Sequence, residues 1–179
     1  KVIFELINLR DFGEGKHKLV DDRPYGGGAG MVLRADILAA ALSSLKKGHV
    51  VLTSASGKPY NQTKARNLSK LDHIIIICGH YEGVDQRFID KYIDEEISIG
   101  DYVLTGGEIP AMVIVDSITR LIPEVLKKPE ATTNESFTEN LLEGPQYTRP
   151  EEFEGEKVPE ILLSGDHKKI EQWRQQKSL

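Results

Sequence analysis

The sequence predicts an α/β fold: a largely parallel sheet covered by helices on both faces, followed by a small helical C-terminal segment. Three observations carry this reading. The apolar runs at 49–52, 74–78 and 97–99 are continuous and rich in Ile and Val, as in strands buried on both faces. Segments with apolar residues at helical spacing separate them. Each run leads into a loop that carries glycine: Thr53-Ser54-Ala55-Ser56-Gly57, Gly79-His80-Tyr81-Glu82-Gly83, and Gly100-Asp101-Tyr102-Val103-Leu104-Thr105-Gly106-Gly107-Glu108. In open parallel sheets, ligands bind at the carboxyl ends of strands, and glycine lets backbone amides come close to them. The three loops together read as the walls of one pocket.

Taken in order, residues 2–7 alternate as a strand would, and 8–30 reads as a long loop. Its second half, from Asp21 to Gly30, holds too much Pro and Gly for a helix or a central strand. Loops this long inside a compact domain are functional or disordered. A flexible linker is the plain reading. The charged and aromatic residues beside the glycines make a binding loop an equal one.

A helix is predicted over 35–47, with Ile37, Leu38, Ala41, Leu42 and Leu45 near the 3.6 period and Gly48 at the C′ position. The strand 49–52 follows, then a helix near 61–71 with Asn61 as N-cap, then a strand over 73–78. Val84, Phe88 and Ile89 share one face of a helix over 84–92, and a strand lies near 96–99. Pro110 sits at the start of a helix that runs through Met112, Val113, Val115, Ile118, Leu121 and Ile122. Pro123 or the lysines after it end that helix.

The polar stretch 127–144 reads as an exposed linker or a mobile lid. Residues 145–179 hold a Pro-containing segment and an amphipathic helix over 167–177, with Ile170 and Trp173 as its apolar contacts. These residues are too few to hold a core alone. The chain therefore divides into 1–126, 127–144 and 145–179.

Hydrophobic content of 39% and charged content of 28% over 179 residues fit a soluble globular protein. No apolar stretch approaches the roughly 20 residues that span a bilayer, and no signal-peptide pattern opens the chain. The single cysteine, Cys78, can build neither a disulfide framework nor a thiol metal site. A cytosolic address is the default expectation. The chain opens at Lys1 without a methionine and is at once apolar, which reads as a fragment. A net charge of −5 argues mildly against a general nucleic-acid binder. The local basic groups, such as Lys16, Lys18 and Arg23 or Lys168, Lys169 and Arg174, read first as solvated surface.

The familiar nucleotide motifs are missing. There is no P-loop, no Gly-x-Gly-x-x-Gly opening the first helix and no Gly-x-Ser-x-Gly elbow. The five histidines show no zinc spacing, so no metal site is expected. What remains is a ligand held by backbone groups in an apolar cleft. A purine nucleoside joined to a compact zwitterion suits this better than a triphosphate. Ile99, Val103 and Leu104 suit the enclosure of an adenine ring, and backbone groups around Gly79, Ile99, Gly100 and Leu104 suit the reading of its edges. Tyr81 and Tyr102 read equally as loop anchors or as ligand contacts.

Three motifs carry a resemblance: Asp-Asp-Arg-Pro-Tyr-Gly-Gly-Gly-x-Gly-Met from Asp21, Cys-Gly-His-Tyr-Glu-Gly-x-Asp-x-Arg from Cys78, and Ser-Ile-Gly-Asp-Tyr-Val-Leu-Thr-Gly-Gly-Glu-x-Pro-Ala from Ser98. With Tyr-Thr-Arg-Pro at 147–150 and Leu-Ser-Gly-x-His at 163–167, the chain resembles the TrmD-type tRNA (guanine-N1)-methyltransferases of bacteria over nearly its whole length. The resemblance implies a SPOUT fold with a C-terminal trefoil knot, a feature that connection rules make rare. It implies S-adenosylmethionine as methyl donor and a homodimer with shared active sites. The implied reaction is methylation of N1 of the guanosine just 3′ of the tRNA anticodon, with possible assistance from Mg²⁺. Neither periodicity nor composition could have suggested these properties.

Position by position, Leu52, Thr53, Ser54, Gly79, Tyr81, Glu82, Gly83, Ile99, Gly100, Asp101, Tyr102, Val103, Leu104, Gly106 and Gly107 match the family's cofactor region. Asp22, Arg23, Tyr25 and Gly30 match its substrate-side loop, and Arg120 matches an active-site arginine. The family's proposed base is an aspartate immediately before Ser-Phe, and here that position holds Glu135, one methylene longer. The family also begins with a strand and helix ahead of Lys1 and continues with helices after Leu179, so the chain is expected to lack part of the cofactor sheet and part of a tRNA-binding domain. Two other functions stay open on the residues alone. One is a nucleoside-binding regulatory module without catalysis, and the other is a SPOUT methyltransferase acting on ribose or another base.

Overall fold

A computed structural model describes residues 2–126, 136–137 and 142–178. The chain forms two compact units, Lys1–Val125 and Leu126–Leu179. The first is a mixed α/β unit built on a three-stranded parallel sheet in the order β4-β3-β5. Its strands are β3 (His49–Pro59), β4 (Ile74–Cys78) and β5 (Glu95–Ser98). β3 pairs with β4 from His49↔Ile74 to Thr53↔Cys78 and with β5 from Val51↔Glu95 to Thr53↔Ile97.

β3 does not stop at Leu52 as expected; it runs on through the residues read as the first glycine loop. Thr53 and Lys58 both stand opposite Ile97, so residues 54–57 bulge out of the ladder before the chain rejoins it. Gly57 permits the return, because a Cβ there would stand 2.5 Å from the Ile97 nitrogen.

Four helices flank the sheet: α1 (Ala35–Ser43), α2 (Gln62–Leu68), α3 (Gln86–Tyr92) and α4 (Glu108–Thr119). The Asn61 side chain caps α2 by accepting from the Lys64 N–H at 2.9 Å, as the sequence indicates. α1 ends four residues short of its expected end. There the Ser43 and Ser44 hydroxyls bond back to the Ala39 and Ala41 carbonyls, an alternative to continuing the helix. Gly48 is not the helix cap; a Cβ there would lie 2.8 Å from His73 Nδ1, and the glycine lets the β3 entry pass the β4 entry. α4 stops at Thr119, ahead of Ile122, and the residue before Pro123 is steered away from helical geometry.

Apolar residues gather in two clusters. Val20, Leu33, Ile37, Leu38 and Phe88 form one, with Ile77 and Val84 against it. Val51, Leu68, Ile97, Ile114 and Ile118 form the other, with Tyr60, Ile74 and Ile76 against it. Successive residues of β4 thus enter different clusters, which is why its isoleucine run is unbroken. α1 and α3 cover one face, and α2 and α4 cover the other.

Residues 2–7 form no strand, and Ile3 and Leu6 are 85% and 97% exposed. Alternation alone makes no strand where no edge takes up the backbone hydrogen bonds. The long loop that follows contains a 3₁₀ turn (Leu9–Asp11), capped by the Asn8 side chain, and the ribbon strand β1 (Asp21–Asp22). β1 pairs antiparallel with β2 (Val32–Leu33), so 23–31 is a loop held at its base.

In the second unit, β6 (Glu152–Phe153) and β7 (Glu156–Lys157) form a hairpin through Glu154 and Gly155, both at positive φ, followed by α5 (Glu160–Leu163) and α6 (His167–Lys177). Asp166 caps α6 by accepting from the Lys169 N–H, and the Tyr147 and Trp173 rings lie 6.3 Å apart. Of the stretch 127–144, only 136–137 and 142–144 are described, with the Glu143 N–H donating to Ser136 Oγ at 3.1 Å.

At the amino end of the sheet, Glu95 joins three elements by bonding His49 Nε2 at 2.9 Å and the Lys64 ammonium. Burial opposes its charged form, but the bonds to Lys64 and His49 outweigh this and hold the carboxyl below its ordinary value. A lowered folded pKa stabilises the fold fully above the unfolded glutamate value of about 4.3, and that stabilisation fades as pH falls through the folded value. Glu95→Gln is therefore expected to be less stable than the parent at neutral pH, with the gap narrowing below about pH 4. Urea unfolding of both proteins from pH 7 to pH 3 checks this; a gap that widens on acidification would contradict it.

Candidate active site

The carboxyl ends of β3 and β4 meet the start of α4 at one junction. Thr53 is buried, and its Oγ1 lies 3.1 Å from the Ile77 carbonyl and 3.3 Å from the Gly107 carbonyl. The Gly107 N–H donates to the Gly79 carbonyl at 2.7 Å, and His80 and Gly106 form a bridge beside it. Only glycine fits at 107, because a Cβ would stand 2.6 Å from the Gly79 nitrogen and 2.8 Å from Cys78 Cα. The second and third glycine loops are thereby fixed against each other. Burial, with Glu108 adding to it, pushes the Cys78 thiol at this junction above its ordinary pKa and keeps it protonated and inert.

The second loop turns sharply. Tyr81 has φ +57°, the Gly83 N–H donates to the His80 carbonyl at 3.1 Å, and His80 Nδ1 accepts from the Tyr81 N–H at 3.0 Å. The loop is also zipped to β2: the Glu82 N–H donates to the Met31 carbonyl at 3.0 Å and the Leu33 N–H to the Gly83 carbonyl at 2.9 Å. Gly30 ends the 23–31 loop directly against the Glu82 side chain, with no room for a Cβ between them. The chain thus brings one end of the expected substrate-side loop to the expected cofactor loop. Asp22, Arg23 and Tyr25 lie exposed on that loop, with Tyr25 99% exposed.

In the third loop, buried Ser98 holds Gly100 through both its carbonyl, at 3.0 Å, and its N–H, at 3.3 Å. The Tyr102 hydroxyl donates to the Ile99 carbonyl at 3.3 Å, and its ring lies over Gly100. Asp101, Tyr102, Val103 and Leu104 are all exposed, which leaves an apolar rim on the loop. Leu52 and Thr53 are buried and can meet a ligand only through backbone atoms. Ser54 opens the bulge of β3, with its Oγ 2.8 Å from Ser56 Oγ. Ser56, Gly57 and Lys58 line a cleft of about 440 Å³ with Ile89, Ile93 and Glu96. The first loop is therefore no equal wall of the pocket.

Of the two expected catalytic residues, only Arg120 falls among the described residues. Arg120 follows α4 as its C-cap and is half-buried, with its N–H donating to the Asp116 carbonyl. Spanning the 12 residues of α4 puts it about 20 Å along the helix axis from Gly107. Glu135 lies outside the described residues. Three residues that sequence reasoning passed over help to build the site: His80, Ser98 and Met31. All three stand inside the motifs already singled out, but only pairing partners reveal their roles. Among the described residues no group of three or more His, Cys, Asp or Glu is arranged to hold a metal ion. Among the described residues no helix is long and apolar enough to cross a membrane.

Compared with known proteins, residues 1–179 match the family model for tRNA (Guanine-1)-methyltransferase TrmD. The chain belongs to the TrmD family. Similar proteins bear the name tRNA (guanine-N(1)-)-methyltransferase. The one from Clostridioides difficile is 52% identical over 180 residues, covering 97% of this chain and 78% of the relative. That of Dictyoglomus turgidum is 56% identical, covering 99% and 73%. That of Clostridium beijerinckii is 55% identical, covering 99% and 75%. The TrmD match spans all three glycine loops, the 23–31 loop, Arg120 and Glu135.

Gly107 offers a direct test of the junction. Its φ of −84° suits any residue, so Gly107→Ala adds only the steric conflict with the Thr53 hydroxyl and the Gly79 and Cys78 backbone. The variant is expected to lose about 1–3 kcal/mol of stability, as overpacked sites do. Denaturant unfolding measures this, and a loss below about 0.5 kcal/mol, the range of an ordinary surface change, would show that the junction is looser than described.

Proposed function

We propose that this chain transfers the methyl group of S-adenosylmethionine to N1 of the guanosine immediately 3′ of a tRNA anticodon, giving 1-methylguanosine. The observation that carries this reading is the family match across residues 1–179, together with relatives of that name at 52–56% identity. The site suits the donor. A cradle in which a Cβ at Gly107 would strike backbone, beside the exposed apolar residues Tyr102, Val103 and Leu104, fits a purine nucleoside held by main-chain groups. Bound there, S-adenosylmethionine supplies an electrophilic sulfonium methyl. Residues 79–83 and 99–107 hold it, with Leu52, Thr53 and Ser54 at the flank.

Guanine N1 carries a proton that must leave. The Glu135 carboxylate takes it, a role worth about 10²–10⁴-fold. The Arg120 guanidinium stabilises the charge that grows toward guanine O6. Asp22, Arg23, Tyr25 and Gly30 form the side of the site that meets tRNA.

Two observations support a homodimer with shared sites. α4 carries Arg120 about 20 Å along its axis from Gly107, and it exposes Ile109, Met112 and Val113, at i, i+3 and i+4, as an apolar stripe. A second copy covering that stripe brings each Arg120 to its partner's loops. The SPOUT trefoil knot, a lid over 127–144, a tRNA-binding role for 145–179 and a cytosolic location belong to the same reading. No step is assigned to Mg²⁺, because the described donor groups offer it no ligand set.

Methyl incorporation from labelled S-adenosylmethionine into a tRNA transcript tests the reaction. Labelling is expected in the native transcript and absent where that guanosine is replaced; equal labelling of both overturns the reading. Glu135→Gln is expected to keep cofactor affinity and lose about 10²-fold or more of turnover. An unchanged single-turnover rate would remove Glu135 from the mechanism.

A further inference from the structure

Tyr60 occupies the turn between β3 and α2, and it makes two contacts that the chemistry above leaves unused. Its N–H donates to the Ser98 carbonyl at 2.8 Å. Ser98 is the buried residue whose hydroxyl holds Gly100 of the third loop. Its phenol oxygen lies 2.6 Å from Ser117 Oγ, in the last turn of α4.

The direction of that bond follows from counting protons. Ser117 Oγ lies 2.7 Å from the Val113 carbonyl and 3.0 Å from the Ile114 carbonyl. A hydroxyl has one proton, and Ser117 spends it on its own helix. The Tyr60 hydroxyl is therefore the donor, and Ser117 the acceptor. Burial raises the Tyr60 pKa, with the Ser117 bond opposing, so the phenol stays protonated as this role requires.

Apolar packing alone leaves the end of α4 under-determined. Ile114 and Ile118 hold it against Val51, Leu68 and Ile97, but such contacts are non-directional. A hydrogen bond to Ser117 fixes rotation about the helix axis. Ser117 also bonds back to the carbonyl four residues earlier, a pattern that bends helices. Arg120 stands three residues on, on the same helix face as Ser117.

We propose that Tyr60 is a positioning residue for methyl transfer: its hydroxyl, through Ser117, sets the orientation of the α4 end that carries Arg120, while its main chain braces the base of the third loop through Ser98. The inference rests on the reading of Arg120 as the residue that stabilises charge on guanine. Tyr60 itself touches neither substrate.

Tyr60→Phe removes the donated proton and keeps the ring, and Ser117→Ala removes the acceptor. Each is expected to lower kcat about tenfold at saturating S-adenosylmethionine and tRNA, with KM for both substrates and the melting temperature near the parent values. The double variant is expected to match either single one, and Tyr60→Phe is expected to cost nothing further in an Arg120→Ala background. A kcat unchanged in both single variants, or a loss that appears equally in KM and melting temperature, overturns the proposal. If Arg120→Ala retains full kcat, the reading of Arg120 fails and the proposal falls with it. If Arg120→Ala is inactive while both single variants keep full kcat, only the proposal fails.

Discussion

The site depends on one contact: the Gly107 N–H on the Gly79 carbonyl at 2.7 Å, with the Thr53 hydroxyl wedged between the Ile77 and Gly107 carbonyls. Without it, the second and third loops are two separate excursions at neighbouring strand ends. With it, they share a wall, and α4 starts from a fixed point against β4. The contact demands glycine at 107 on grounds of space, not of dihedral angle, since φ there is ordinary. A small buried hydroxyl at 53 reinforces it, because that group reaches the Ile77 and Gly107 carbonyls together.

Burial on both faces of β4 extends the same constraint. Ile77 belongs with one core and Ile74 and Ile76 with the other, so the strand cannot slide by one residue without exchanging its faces. The loop that follows Cys78 therefore leaves the sheet at a set height. β2 then grips that loop through Met31 and Leu33, which carries the fixed height into the 23–31 loop and its end at Gly30. A ribbon of two-residue strands thus inherits its position from a core it scarcely enters.

Much of this was legible in the residues. The isoleucine run of β4, the Asn61 cap and the helix over 167–177 follow from periodicity and capping chemistry. What failed, failed for reasons of pairing. The 2–7 segment has strand-like alternation but no edge to join, and the residues after Leu52 look like a loop although their ends rejoin β5. Gly48 looks like a helix cap until the neighbour at His73 is known. In the site, the motifs point to the loops, and burial of Leu52 and Thr53 there follows from the sheet and not from any motif. The importance of Ser98 and Tyr60 lies wholly in what they bond, and a single sequence does not display that.

The glycine loops and the Arg120 side chain are fixed by different physics. The glycine loops are backbone at the ends of paired strands, tied to one another and to the strands by several hydrogen bonds, so they can shift little without breaking several bonds at once. Arg120 stands at the far end of a helix whose start is pinned and whose end is held by side chains. A long side chain on a helix end keeps more freedom than a strand-end amide, and the conformational entropy lost on fixing it is correspondingly larger. Each directional bond near that end therefore does more to set the guanidinium than any of the many bonds around the cradle does to set the loops.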